Sequence, residues 1–340
     1  MGTEGSVGAA AAAGGEAGLD SLLLGLRAVA EPTRLRLLVL CAHGELTVTE
    51  LTQILGQSQP RVSRHLKLLC EAGMLERFRE GTHAFYTLSR QGEVARLGEL
   101  LVDLMPAGDR GLALDLERLE AIKQTRDAAA AKYFRENAAR WDSIRSLYID
   151  ETQVEAALLA VLPSDGLRDF VDVGTGTGRI LELVAPRAER AVGIDLSREM
   201  LAVARAHIER AGLRNVNVRH GDMYQLPWPA GSFDAATLHQ VLHFADDPAA
   251  AIAEVARILR PAGTLAIVDF APHELEYLRT EHAHRRLGLR DADMQQWFRA
   301  AGLMPQSRSE LPGDPLTVTI WTARRVDAEK GRAPAARKVG

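Results

Sequence analysis

Along the first hundred residues, apolar positions recur at helical spacing between residues that start and stop helices. Leu22 to Val29 forms a first apolar helix, and Pro32 suits the first turn of a second, which carries Leu35, Leu37, Leu38 and Leu40 and ends at Gly44. Thr47 can cap a third helix, with Glu50 three residues on completing a capping box. That helix carries Leu51, Ile54 and Leu55 and stops at Gly56; Ser58 or Gln59 opens a fourth, with Pro60 at its first position. Residues 74–88 read as strand, turn and strand around Glu80-Gly81, and a further helix runs from Gln91 to Met105.

Beyond residue 165 the pattern becomes one of short apolar strands alternating with helices. Phe170–Val173, Ala191–Asp195, Val216–Met223, Phe233–Leu238 and Gly263–Asp269 read as strands, and Leu316–Thr322 as a terminal one. Five segments follow: a disordered leader over 1–17, a small helical domain with a hairpin over 18–105, a mainly helical connector over 106–165, an α/β domain over 166–325, and a solvated tail over 326–340. Leu112, Leu116, Leu119 and Ile122 form one stripe of the connector.

Composition adds little beyond two ordinary globular domains, at 46% hydrophobic and 25% charged residues. The formal net charge of −4 means that any signal for a nucleic-acid partner must be local. Two cysteines, Cys41 and Cys70, sit in apolar helical patterns and read as small buried hydrophobes, so a reducing compartment fits. The leader lacks a basic start and a long apolar run, and no stretch suits a membrane span; cytoplasmic location is expected, with no membrane partner.

One such local signal lies on the fourth helix. Val62, Leu66 and Leu69 occupy one side, and Arg61, Arg64 and His65 the other. Residues 58–79 hold five Lys/Arg (Arg61, Arg64, Lys67, Arg77, Arg79) against Glu71 and Glu76, a local net of +3. A basic face of this kind can be a solvated helix side. It can also displace counterions from phosphates and pair with guanine in the major groove, with Arg77 and Arg79 of the hairpin near the backbone. The order of elements favours the second reading. The stretch Ser58-Gln59-Pro60-Arg61-Val62-Ser63-Arg64-His65-Leu66-Lys67-Leu68-Leu69, with Glu71-Ala72-Gly73-Met74-Leu75 and Ala30-Glu31-Pro32-Thr33-Arg34, resembles ArsR-type winged-helix repressors. The resemblance implies a winged helix-turn-helix, a homodimer built by the first and last helices, and a near-palindromic double-stranded operator read by Ser58, Gln59, Arg61, Ser63, Arg64, His65, Lys67, Arg77 and Arg79. Metal-sensing members carry cysteines where this chain has Thr47 and Thr49, and the helix from Gln91 to Met105 holds no His. Soft metals select thiolates, so no metal is expected as the effector.

A second signal is the glycine turn Gly174-Thr175-Gly176-Thr177-Gly178 between strand and helix, which lets backbone approach a ligand closely. By itself it also suits a dinucleotide or a tight turn. Asp195 ends the next strand, where an acid can accept ribose hydroxyls; Met200 can lie on an adenine face, and Asp222 can meet an adenine amino group. In order, the series resembles class I S-adenosylmethionine-dependent methyltransferases of the ubiquinone-biosynthesis-like subgroup over residues 133–323. A Rossmann-like α/β fold with a seven-stranded sheet is implied, binding S-adenosylmethionine or S-adenosylhomocysteine through Asp172, Gly174, Thr175, Gly176, Gly178, Asp195, Leu196, Met200, Asp222 and Met223. The resemblance adds His239 by its backbone, and Phe134 and Trp141 either as a cover or as packing anchors. His239 and His243 read as one helical turn apart, a spacing open to metal or to packing, and His282 and His284 as lining a solvated helix.

Three readings follow. The chain is a regulator whose methyltransferase-like domain senses the nucleoside, as in S-adenosylhomocysteine-responsive fusion regulators of this order. Alternatively it is an active methyltransferase on a small molecule with an autoregulatory DNA-binding domain, or an interaction module with both sites inert. Arsenite is a poor acceptor, because residues 106–340 contain no Cys to bind arsenic.

Overall fold

The computed structural model describes residues 8–80, 82–89, 92–106, 108–138, 141 and 151–326, and divides into two compact units between Asp127 and Ala128. In the first unit, helix α1 spans Gly8–Val29, α2 Pro32–Ala42, α3 Val48–Leu55, α4 Gln59–Glu71 and α5 Glu93–Asp103. Helix α1 overlaps the leader expected over 1–17: it begins at Gly8 in a run rich in alanine, the strongest helix former. Residues 1–7 and the tail from 327 lie outside the described residues.

The helix boundaries follow local chemistry. Thr47 and Glu50 form the reciprocal capping box, and Gly56 ends α3 in the left-handed region at φ 63°. Strands β2 (Leu75–Glu80) and β3 (His83–Leu88) form the hairpin. A two-residue strand, β1 (Leu46–Thr47), adds to its other side, giving the antiparallel order β1-β3-β2. Leu37, Leu38, Leu51, Ile54, Val62, Leu66, Leu69 and Met74 fill the core.

Helix α6 (Arg110–Asn137) contains the unit boundary, so the first domain extends past residue 105. The reason is the leucine stripe: Leu119 belongs to the first unit's core, with Leu116 and Ile122 packed against it. The Arg36 guanidinium also makes two hydrogen bonds, at 2.5 and 2.6 Å, to the fully buried carboxylate of Asp115.

The second unit is a seven-stranded sheet. Its strands are β4 (Leu167–Val173), β5 (Ala188–Asp195), β6 (Val216–His220), β7 (Phe233–His239), β8 (Leu259–Phe270), β9 (Leu303–Leu311) and β10 (Val318–Arg325). They lie in the order β6-β5-β4-β7-β8-β10-β9, parallel except for β10, which runs antiparallel to β8 and β9. The helices are α7 (Glu151–Val161), α8 (Arg179–Val184), α9 (Arg198–Arg210), α10 (Pro248–Ile258), α11 (Tyr277–Glu281) and α12 (Asp291–Ala300). Residues of α7, α8 and α9 pack into the core on one face of the sheet, and residues of α10 and α12 into the core on the other. The third strand stops at His220, short of the expected Met223. Gly221 turns the chain there, donating its N–H to the Asp195 carbonyl, and a Cβ on it would meet Ile194 Cδ1 at 2.5 Å.

Candidate functional site

Each unit presents one candidate site. On α4, Val62, Leu66 and Leu69 are fully buried, and this fixes which side faces outward. Ser58, Gln59, Arg61, Arg64 and Lys67 are exposed, and Ser63 is half-buried. His65 departs from the basic face: its side chain is largely buried beside α2, with Nδ1 3.8 Å from Glu31. Burial, opposed by Glu31 and aided by Arg34, Arg61 and Arg64, lowers its pKa. Lys67 faces Glu71 at 3.7 Å, both exposed, a pair too solvated to hold the lysine from another anion. On β2, Arg77 and Arg79 are exposed; Arg77 bonds Tyr86, and Phe78 stacks on Phe85 at 5.5 Å to stiffen the hairpin. Thr47 is spent on the α3 cap, and among the described residues no His, Cys, Asp and Glu cluster has metal-binding geometry.

In the second unit the glycine turn sits between β4 and α8. Gly174, Gly176 and Gly178 all have positive φ, and a Cβ on Gly174 would meet Val241 Cγ2 at 2.4 Å. Asp195, at the end of β5, accepts the Gly176 N–H and the Ser197 N–H, each at 2.8 Å. Burial raises its pKa, against the pull of the Ser197, Gly176 and Leu196 amides. The Thr175 hydroxyl is buried and, among the described residues, has no hydrogen-bond partner. A Cβ on Gly176 would lie 3.6 Å from the Trp141 indole nitrogen, so the space over this glycine is roofed by an aromatic ring. Such a cradle, with a carboxylate, an orphan hydroxyl and a ring, fits a ribose-bearing nucleoside.

The other expected ligands are more scattered. Asp172 is buried and accepts the Thr237 hydroxyl at 2.6 Å. Met200 is buried on α9, Leu196 is 62% exposed, and Met223 is half-buried. Asp222 lies in the turn after β6, exposed, accepting from the Tyr224 N–H at 2.9 Å. His239 is buried as the last residue of β7, and Gln240 follows at φ 54°, a left-handed conformation unusual for glutamine. His239 and His243 are therefore not a turn apart on one helix: a strand end and a 3₁₀ turn (Leu242–Phe244) carry them.

Sequence reading missed how these histidines cluster, because His243 and its partner Asp269 lie 26 residues apart. His243 is buried, its Nδ1 2.7 Å from Asp269, whose carboxylate also takes the His243 and Phe270 N–H groups. The His284 ring lies 4.1 Å from His243 and stacks near Phe270 at 5.8 Å. It is buried, not on a solvated helix, and burial drives its pKa far down. His282 bonds the Tyr133 hydroxyl at 2.8 Å. Phe134, Trp141 and Phe244 complete the cluster, with Phe134 4.8 Å from Phe244 and 5.4 Å from Trp141. One aromatic layer thus connects Gly176 to a histidine oriented by a buried carboxylate. Such a pair can accept a proton at the second ring nitrogen.

Residues 31–77 match the arsR family of bacterial regulatory proteins, and residues 171–267 match a methyltransferase domain. The chain joins an ArsR-type helix-turn-helix domain to a class I methyltransferase fold. It is 34% identical over 158 residues to a demethylmenaquinone methyltransferase of Deinococcus radiodurans, covering 44% of this chain and 64% of that one. It is 33% identical over 105 residues to the uncharacterized methyltransferase YcgJ of Bacillus subtilis, covering 31% of this chain and 42% of that one. The match to a ubiquinone biosynthesis O-methyltransferase of Acinetobacter baumannii is 27% over 174 residues, 47% of this chain and 73% of the other. The chain thus spans less than two thirds of the first two relatives. The crystal structure of YcgJ superposes over 52% of this chain and all of that chain at 20% identity and a TM-score of 0.46. No helix among the described residues is long and apolar enough to cross a membrane.

Proposed function

We propose that this protein is a DNA-binding transcription regulator whose methyltransferase domain binds S-adenosylhomocysteine or S-adenosylmethionine and thereby modulates operator binding, in the cytoplasm and as a homodimer. The observation that supports the ligand is the grouping of Gly176, Asp195 and the buried Thr175 hydroxyl beside Trp141. The DNA reading rests on the exposed Arg61, Arg64, Lys67, Arg77 and Arg79 beside a buried helix-turn-helix core. For the dimer, Leu19, Leu23, Leu24 and Leu26 of α1 and Leu100 of α5 are exposed apolar surface suited to a second copy. No metal enters, since Thr47 and Thr49 stand where thiolates would be needed.

A second reading, catalysis on a small protic acceptor, is favoured by the His243–Asp269 pair and by the methyltransferase activity named for two relatives. S-adenosylmethionine would supply an electrophilic methyl group. Asp172, Gly174, Gly176, Gly178 and Asp195 would hold its nucleoside and amino acid parts, His239 would contact it by its backbone, and Phe134 and Trp141 would exclude water. Incubation of the full chain with tritiated methyl donor and cell extract separates the readings. The sensor reading predicts no transfer above a His243→Ala control, together with footprint protection on a genomic operator. Robust His243-dependent labelling without any protected site would replace it with the enzyme reading.

A further inference from the structure

The sheet face that α10 and α12 cover is left open at its β5–β6 end. Strand parity and register put Arg190 and Val192 of β5 on that face beside Asn217 and Arg219 of β6, and the chain passes from β6 to β7 without a helix. The opening is a cavity of about 460 Å³, whose wall is completed by Trp228, Ser232 and Arg260 among others. That volume is in the range of small-molecule sites, roughly 300–1,000 Å³.

The lining is one-sided in charge: three arginines and no carboxylate. Arg190 lies 2.6 Å from Asp169, and Arg260 2.6 Å from Asp169 and 2.7 Å from Asp234, two acids set outside the lining. Arg168 also reaches Asp234, at 3.8 Å, so three guanidiniums share two carboxylates. Arg219 is exposed and in no ion pair among the described residues. Asn217 and Ser232 add polar groups, while half-buried Trp228 is held edge-on by Phe233, ring centres 5.1 Å apart. Guanidinium forks match phosphate oxygens, and an indole offers a ring for stacking.

We propose that this cavity is a second ligand site, separate from the cradle at Gly176 and Asp195, which takes a nucleoside monophosphate: phosphate between Arg190 and Arg219, base against Trp228. The same chemistry is carried by a free nucleotide and by the 5′ end of a nucleic-acid strand.

The test is calorimetric titration of the full chain with adenosine monophosphate, after saturation with S-adenosylhomocysteine so that the cradle is filled. One site should bind adenosine monophosphate at least tenfold more tightly than either adenosine or inorganic phosphate. Arg219→Ala, at an exposed side chain, and Trp228→Leu should each weaken it about tenfold while leaving S-adenosylhomocysteine affinity unchanged. A 5′-phosphorylated hexanucleotide that competes equally well assigns the site to strand ends; failure to compete assigns it to the free nucleotide. No binding by the saturated wild type, or wild-type affinity in Arg219→Ala, overturns the proposal. If S-adenosylhomocysteine itself does not bind, the regulator reading fails alone, because the comparison of wild type with Arg219→Ala still reads this cavity.

Discussion

At the residue scale, Asp195 carries the sharpest expectation. An ionised carboxylate can keep its amide donors and still accept a hydroxyl, because its two oxygens offer about four lone-pair sites. Burial holds its pKa above the ordinary aspartate value, so acidification neutralises it earlier than an exposed aspartate. S-adenosylhomocysteine affinity should therefore be full at neutral pH and fall as pH drops through that raised value. Asp195→Ala should lose roughly 1.5–3 kcal/mol, at least tenfold in affinity, and the acid-side fall with it. Calorimetry over a series of falling pH from neutral reads both; wild-type affinity in the variant would sink the cradle assignment. Asp195 was visible in the sequence because a strand end and the spacing from the glycine turn announce it. The Thr237 hydroxyl on Asp172 was not, since 65 residues separate partners that only the β4–β7 pairing brings together.

At the element scale, the proposed operator binding assigns different roles to α4 and the hairpin. Arg64→Ala should weaken the operator more than unrelated DNA. Arg79→Ala should weaken both about equally and shallow the salt dependence by about one phosphate. Filter binding over a salt series distinguishes them, and equal losses for both variants on both DNAs would remove sequence readout from α4. The segment around α11 behaves differently. His273, lowered by burial to about 4, and His284, lowered further, are held neutral in the fold, whereas the unfolded chain binds protons near about 6.5. Stability should be full above that value and decline as pH falls from it toward about 4. His284→Phe, which keeps a ring beside Phe270, should flatten the decline; an unchanged slope in thermal melts would remove His284 as a cause. Elements were legible where local chemistry names them, as with Thr47, Glu50 and Gly56 around α3. They were hidden where pairing is remote. Two-residue β1 exists only through β3, and β9 is a mostly polar strand containing Pro305 that pairs with β10 as the outermost strand of the sheet.

At the scale of the whole molecule, α6 is shared: its first part belongs to the winged-helix unit and its last residues to the methyltransferase unit. The Arg36–Asp115 pair ties that first part to α2. Arg36→Met, leaving a buried carboxylate unpaired, should cost about 3 kcal/mol in urea unfolding, and Arg36→Met with Asp115→Leu together much less. A double variant as unstable as the single one would mean that packing, not the ion pair, holds α6. The sequence displayed the leucine stripe of α6 but not its partner, because Arg36 and Asp115 lie 79 residues apart. Under the proposed regulator reading, ligand and DNA affinities are coupled, and such coupling must be reciprocal. S-adenosylhomocysteine, lacking the sulfonium charge, is expected to act at lower concentration than the methyl donor. The most direct test is operator affinity by fluorescence anisotropy with and without S-adenosylhomocysteine, paired with ligand affinity with and without operator. A tenfold change in one should appear as a tenfold change in the other, about 1.4 kcal/mol. Affinities unaltered in both directions would leave two independent domains and contradict the regulator reading.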